Sequence, residues 1–222
     1  MTGPSTPYAP PEGPIPVIHE DDDILVVAKP AGLLSVPGRG PDLADCLLSR
    51  LQALRPETLL CHRLDRDTSG IMVFALTKEA QRRMGRLFET RAVTKRYAAL
   101  VWGAVAEAEG TVDLPLIVDW PNRPLQHVDH ARGRAAVTDW RRMGVEGPEA
   151  APVTRMRLMP RTGRSHQLRV HMRELGHPIW GDPFYAEGAA ARAPRMMLHA
   201  EGLKFAHPAT GKMLRLAAPC PF

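Results

Sequence analysis

Long apolar runs, a cysteine framework and a secretion signal are all missing from this sequence, and each absence removes a class of protein. No stretch approaches the roughly 18 consecutive apolar residues that a membrane-spanning helix needs, so the chain reads as soluble, with no membrane partner. The three cysteines, Cys46, Cys61 and Cys220, are scattered and form no CxxC pair. That pattern argues against a disulfide scaffold and a thiolate zinc site, and it fits a reducing, cytoplasmic setting. The N-terminal stretch MTGPSTPYAPPEGPIP has neither a basic start nor an apolar core, and residues 1–15 read as a flexible tail. Beyond it there is no low-complexity tract, no internal repeat and no long linker, so residues 16–222 are expected to form one domain around one core.

What is present is ordinary in bulk. A hydrophobic share of 44% and a charged share of 24% suit a globular protein, and the net charge of +5 leans toward a polyanionic partner without deciding it. Motifs must decide.

Periodicity supplies the scaffold. Residues 15–18 and 24–29 are β-branched runs around an acidic turn, and Pro30 and Gly32 stop the second. From Pro41, Leu43, Leu47, Leu51 and Leu54 recur at helical spacing, which predicts a helix ending before Pro56. Short apolar runs at 59–61 and 71–76 flank the polar segment HRLDRDTSG, which predicts a loop at 62–70 held between two strands. Thr77 suits the cap of a second helix with Ala80, Met84, Leu87 and Phe88 on its apolar side and Arg82, Arg83 and Arg86 exposed. Strands are predicted at 96–102, 135–140, 153–159, 196–199 and 213–216, and a third helix from a Ser165 cap to about Leu175, stopped by Gly176. Strands outnumber helices without βα alternation, so the fold class is α+β with a large, mainly antiparallel sheet rather than a doubly wound one.

Two polar constellations carry the chemistry. In the first, His62, Arg63, Asp65, Arg66, Asp67, Thr68 and Ser69 precede Gly70. Taken alone, Asp65 and Asp67 read by default as turn caps paired with nearby arginines, as most loop aspartates are, and in the functional alternative one of them is a positioned nucleophile or base. An aspartate working beside a bound polyanion needs a local cation, which predicts an arginine partner from elsewhere in the chain. The second constellation, RTGRSHQLRVH at 161–171, offers Arg161 and Arg164 on a turn and Arg169 one turn into a helix. His62, His166 and His171 do not complete a metal ligand set with a carboxylate, so no metal is expected.

KPAGLLSVPG at 29–38, HRLDRDTSG at 62–70, KRY at 95–97, LPLIVDWPNRP at 114–124, RTGRSHQLRVH at 161–171 and GHPIWGDPFY at 176–185 resemble, in order and spacing, the RluA family of pseudouridine synthases. The resemblance runs from about residue 16 to the C-terminus and is strongest to the family's dual-specificity members, which lack an S4 domain. It implies the pseudouridine synthase catalytic fold, no cofactor, and isomerisation of uridines in 23S ribosomal RNA and the tRNA anticodon stem-loop by a monomer acting on structured RNA. It further implies Asp65 as the catalytic carboxylate, Arg169 as its ion-pair partner, and Tyr97 as the active-site tyrosine. A pair near 4 Å at an effective dielectric of about 20 attracts by roughly 4 kcal/mol before desolvation, so its role is positioning more than net stability. Arg63 matches the arginine that enters the RNA stem where the target base is extruded. His62, Thr68, Ser69 and Arg164 are assigned to substrate binding with it, and Lys29 and Arg39 to phosphate contacts. Two other readings stand beside this one: a single-specificity family member, and a non-catalytic RNA-binding protein that keeps the basic cleft. The KRY triplet, in place of KQY, and the pair Arg66 and Asp67 bear on substrate detail only.

Overall fold

The structure, a computed structural model, describes residues 8–222. Its strands in chain order are β1 (Val17–Glu20), β2 (Ile24–Lys29), β3 (Leu59–Leu60), β4 (Ser69–Ala75), β5 (Thr94–Trp102), β6 (Glu109–Asp113), β7 (Leu116–Val118), β8 (Gln126–Val128), β9 (Val137–Glu146), β10 (Val153–Pro160), β11 (Leu198–Ala206) and β12 (Met213–Ala217). The helices are α1 (Leu47–Leu54), α2 (Lys78–Glu89) and α3 (Gln167–Glu174). One large sheet runs β1-β2-β4-β11-β5-β10-β9-β6, with β12 beside β11 and β3 beside β4, and β7 and β8 form a separate hairpin. The pairings are antiparallel except β4 with β11. The α+β class and the mainly antiparallel sheet are those the sequence predicts.

Strand composition explains the order. The acidic turn after β1 closes through Asp21, whose Oδ1 accepts the backbone N–H of Asp23 and of Ile24 at 2.9 Å each. β4 is buried along its whole length, as its unbroken apolar run SGIMVFA requires of a strand covered on both faces. β2 and β4 pack with Leu47 and Leu51 of α1, Met84 of α2, and Leu203 and Phe205 of β11 in one core cluster. A second cluster joins Ala99, Val101, Trp140, Met156 and Leu158 to Leu168 and Met172 of α3. Phe74 and Phe205 are fully buried, and truncating either to alanine would cost about 3–5 kcal/mol.

The centre of the sheet rests on Gly70. Its φ is +118°, and a Cβ there would stand 2.2 Å from the carbonyl oxygen of Ala200. Only glycine lets β4 approach β11 this closely, just where the segment carrying Asp65 enters the sheet.

Several expectations are corrected. The helix predicted from Pro41 is broken: residues Pro41–Leu43 make a 3-10 turn, and Cys46 is extended, caps α1 through Sγ, and exchanges hydrogen bonds with Ser49. Leu54, assigned to the apolar stripe, is 78% exposed. Ser165 does not cap α3; the cap position is His166, in the left-handed region, and Ser165 is exposed. Ser69 and Gly70 lie in β4 rather than in the loop. The tail reading falls partly on residues 1–7, outside the described residues. From residue 8 onward the chain is held: Tyr8 donates to the carbonyl of Asp45 and accepts from Leu34 N–H, and the Pro11 carbonyl accepts from Arg50.

Candidate functional site

Segment 62–68 leaves β3 and returns into β4, so its ends are pinned by the sheet. Lys29 fixes its middle. The Nζ of Lys29 donates to the carbonyls of Pro30, Leu33 and Arg66 at 2.9, 2.7 and 2.8 Å, tying the KPAGLL turn to the segment that carries Asp65. Three carbonyl acceptors are met only by an ammonium with three N–H donors. Burial pushes the Lys29 pKa down to about 7, opposed first by Asp67 and then by Asp65. At 1% exposure Lys29 cannot reach RNA phosphates. The sequence assignment to substrate binding is therefore wrong, and the residue instead holds the loop.

Arg169 comes from the first turn of α3 and is 2% exposed. Its Nη1 donates to Asp65 Oδ2 at 3.2 Å, the partner that the sequence predicts. The rest of its guanidinium is taken by a residue that sequence reasoning missed. Nε and Nη2 form a two-pronged fork onto Asp182 at 2.7 Å each, and Asp182 is fully buried. Asp182 Oδ1 also accepts the backbone N–H of Phe184 and Tyr185. Burial alone would lower the Arg169 pKa, but the Asp182 fork and then Asp65 hold it above the ordinary arginine value. The legible signal for Asp182 was the GDPFY turn: a buried arginine needs a carboxylate of its own if a second carboxylate is to stay free to react.

The turn before α3 is built on Gln167. Its Oε1 accepts from Thr162 Oγ1 and Arg164 N–H, while its Nε2 donates to the Val137 carbonyl and Thr138 Oγ1. Thr138 donates to Nδ1 of His171, whose Nε2 faces the Leu114 carbonyl at 3.1 Å. Lys95 adds a bond from Nζ to the Thr162 carbonyl, and burial pushes its pKa down to about 8. These bonds fix the turn that leads into α3; the side-chain cap that Ser165 was expected to make is absent, and the helix starts without one.

Together these elements enclose a cleft of about 580 Å3 whose walls include Asp65, Tyr97, Arg169 and His166. Asp65 keeps 25% of its side chain exposed there. Tyr97 projects from β5, and burial, then the charge of Asp65, raise the pKa of its phenol, so it stays protonated. Arg63, Arg91, Lys95, Arg134 and Arg164 give the walls a basic character. Arg63 is exposed and forms no ion pair among the described residues. Arg164 donates from Nε to the Ala135 carbonyl, and burial, then Arg134 and Arg91, lower its pKa. Arg161 is different, because Asp139 binds it in two contacts of 2.6 and 2.8 Å.

A cleft with one ion-paired carboxylate, a protonated tyrosine and a rim of arginines suits chemistry on a polyanion, and comparison with known proteins identifies which. The profile of the RNA pseudouridylate synthase family matches residues 23–174. The chain belongs to the RNA pseudouridylate synthase family. It is 50% identical over 217 residues to the dual-specificity RNA pseudouridine synthase RluA of Escherichia coli K12, covering 97% of this chain and 98% of the relative. The homologous enzyme of Vibrio vulnificus is 50% identical over 218 residues, covering 97% and 87%. Among solved structures, human RNA pseudouridylate synthase domain containing 1 superposes with a TM-score of 0.80 at 32% identity, covering 96% of this chain and 87% of that one. The protein is thus a pseudouridine synthase, an isomerase that modifies RNA.

Within this synthase the remaining sequence-assigned residues divide. Arg63, Arg164 and Thr68 line the cleft. His62 lines it too, but its Nε2 accepts the N–H of Val73 at 3.0 Å and its ring lies against Phe88, so it also fixes the wall; burial pushes its pKa down to about 3. Ser69 does not face the cleft. It is buried, donates to Nδ1 of His199 at 2.8 Å and accepts from Arg195 at 2.5 Å, so its substrate-binding assignment is corrected to a structural one. Arg39 is exposed, and it does not line the cleft among the described residues. Asp21, Asp23 and His207 are close enough to share an ion. However, His207 Nδ1 accepts the backbone N–H of Ala209 and Thr210, which puts the proton on Nε2, and that atom donates to Asp21 at 3.0 Å.

Proposed function

We propose that the protein isomerises specific uridines in both a tRNA anticodon stem-loop and 23S ribosomal RNA, with Asp65 as the reacting carboxylate. The observation that carries the site assignment is the setting of Asp65: partly exposed on the cleft floor and paired at 3.2 Å with an arginine that Asp182 independently neutralises. The identity of 50% over 97% of the chain to dual-specificity enzymes supports the double substrate range.

The reaction breaks the bond between N1 and the anomeric carbon, turns the base, joins C5 to that carbon, removes the C5 proton and places one on N1. Electrons and water are neither gained nor lost, so a carboxylate and proton-handling groups suffice. Asp65 serves either as nucleophile or as base at the sugar, and Arg169 fixes its orientation in both routes. Tyr97 offers a ring on which the uracil stacks and a phenol that donates a proton rather than taking one. The target nucleotide must leave its stack before the glycosidic bond is reachable, and Arg63 is the residue assigned to enter the vacated stem, a role that its exposure on the cleft wall supports. Arg91, Arg134 and Arg164 meet the phosphates. The free cysteines support a reducing cytoplasmic setting.

The test is incubation of the purified protein with an anticodon stem-loop RNA and a 23S rRNA fragment, read by base-resolution mapping of pseudouridine. Modification of both is expected. Modification of one alone overturns the double range and keeps the chemistry; modification of neither overturns the proposal.

A further inference from the structure

His166 is used by nothing described so far, yet it is held with unusual care. Its backbone is left-handed at φ 53°, a conformation that is strained for a non-glycine residue and concentrates at working sites. Its side chain is 9% exposed, stacked by Phe184 and met edge-on by Tyr185. Nδ1 lies 2.7 Å from the Tyr185 hydroxyl, which accepts the backbone N–H of Gln126 at 2.9 Å. With an oxygen lone pair already occupied by Gln126, and no other acceptor for its proton among the described residues, the tyrosine donates to Nδ1. The imidazole proton is therefore on Nε2. Burial lowers the pKa of the ring, against the opposing pull of Asp65, so the ring stays uncharged near neutrality.

Nε2 stands 3.9 Å from Asp65 Oδ2, too far for a hydrogen bond, and it has no closer acceptor among the described residues. The result is an oriented N–H donor on the cleft wall, beside the reacting carboxylate, with its acceptor missing. When an Asp65 oxygen reaches the target sugar, the 2′-oxygen, bonded next to the anomeric carbon, must come within a few ångströms of that oxygen. We infer that His166 is a further substrate-contacting residue, whose Nε2–H binds the 2′-hydroxyl oxygen of the target ribose and so helps select RNA over DNA. The inference rests on the proposed assignment of Asp65 and deepens it, since the 2′-hydroxyl is the group by which a protein distinguishes the two nucleic acids.

The test uses two substitutions. His166→Asn tolerates the left-handed backbone and keeps a polar atom near the Nδ1 position, but it removes the Nε2 donor. His166→Gln places an amide near the Nε2 position. Single-turnover rates on the stem-loop RNA should fall about tenfold in His166→Asn, the change expected from one lost hydrogen bond of about 1.4 kcal/mol, and recover in part in His166→Gln. The contact is then located by competition binding in an Asp65→Asn background, which keeps the RNA unconverted, with uridine or 2′-deoxyuridine at the target position. With His166 present, the ribose form should bind several-fold more tightly; once His166→Asn is added, this preference should vanish. An equal preference in both proteins overturns the inference, as does an unchanged rate in His166→Asn. If His166→Asn does not fold, the same comparison is made with His166→Gly, which carries no penalty in the left-handed region and also lacks the Nε2 donor. Wild-type turnover of the all-ribose RNA is the separate control: its absence refutes the proposed function rather than the histidine contact.

Discussion

Replacing Asp182 with asparagine should damage stability more than replacing Asp65, although both carboxylates touch the same arginine. Asp182 is 0% exposed and Arg169 2%, and their two contacts are both 2.7 Å. Asparagine keeps one acceptor oxygen for the N–H groups of Phe184 and Tyr185 but sets an amide N–H against an arginine N–H and leaves a buried cation short of a counter-charge. Removing one partner of such a pair costs about 3–5 kcal/mol. In a domain of this size each kcal/mol lowers Tm by about 2–4 °C, so the drop should be about 10 °C. Asp65 differs: it is a quarter exposed, receives one contact of 3.2 Å, and leaves Arg169 still paired when lost. Asp65→Asn should therefore cost no more than about 1 kcal/mol. Urea unfolding followed by tryptophan fluorescence gives both values under one condition. If Asp182→Asn unfolds at the wild-type midpoint, or if the two variants lose equal stability, the division of labour between the two carboxylates is refuted.

Three further outcomes follow from the packing and the charges. Gly70→Ala should separate β4 from β11, because its Cβ would meet the Ala200 carbonyl at 2.2 Å in a positive-φ residue; a loss of about 4 kcal/mol from strain and overpacking is expected in denaturant titration, and a loss below about 1 kcal/mol would contradict the close approach. His62 has its pKa lowered from 6.5 to about 3, so the unfolded chain binds the proton first as pH falls, and this contribution to stability is present above 6.5 and lost toward 3. Tm should accordingly fall as pH is lowered through that window, and His62→Gln should show a shallower fall; an identical slope would contradict the assignment. Arg63→Ala should leave folding intact and slow single-turnover modification at least tenfold, with a smaller effect on an RNA whose target base is already unpaired; equal effects on both RNAs would argue against a role in base extrusion.

The sequence made the alternating and buried strands legible, because β4, β5 and β10 are long and each has a clear face or a full apolar run. It missed β6, β7 and β8, which are short: β6 is an edge strand with one buried residue, and β7 and β8 span three residues each. The break at Cys46 was hidden because leucine spacing continues across it, while the capping exchange of Cys46 with Ser49 depends on a thiol that sequence rules do not count as a cap. At the site, Asp65 and Arg169 were legible through the resemblance of their motifs, and the cleft brings them together. Lys29 was misread because a lysine beside a basic cleft looks like a phosphate ligand until its three carbonyl partners are seen. The GDPFY turn was the signal for Asp182, but its fork onto Arg169 and the approach of His166 to Asp65 are contacts between separate segments, which no local pattern records.

The most direct test of the account is the rate of pseudouridine formation in the anticodon stem-loop by wild type and by Asp65→Asn, measured with both proteins shown to be folded and to bind the RNA equally. The account predicts stoichiometric modification by wild type and none detectable by the variant. Turnover by Asp65→Asn within about tenfold of wild type, no more than about 1.4 kcal/mol of barrier, would contradict the assignment of Asp65 as the reacting carboxylate.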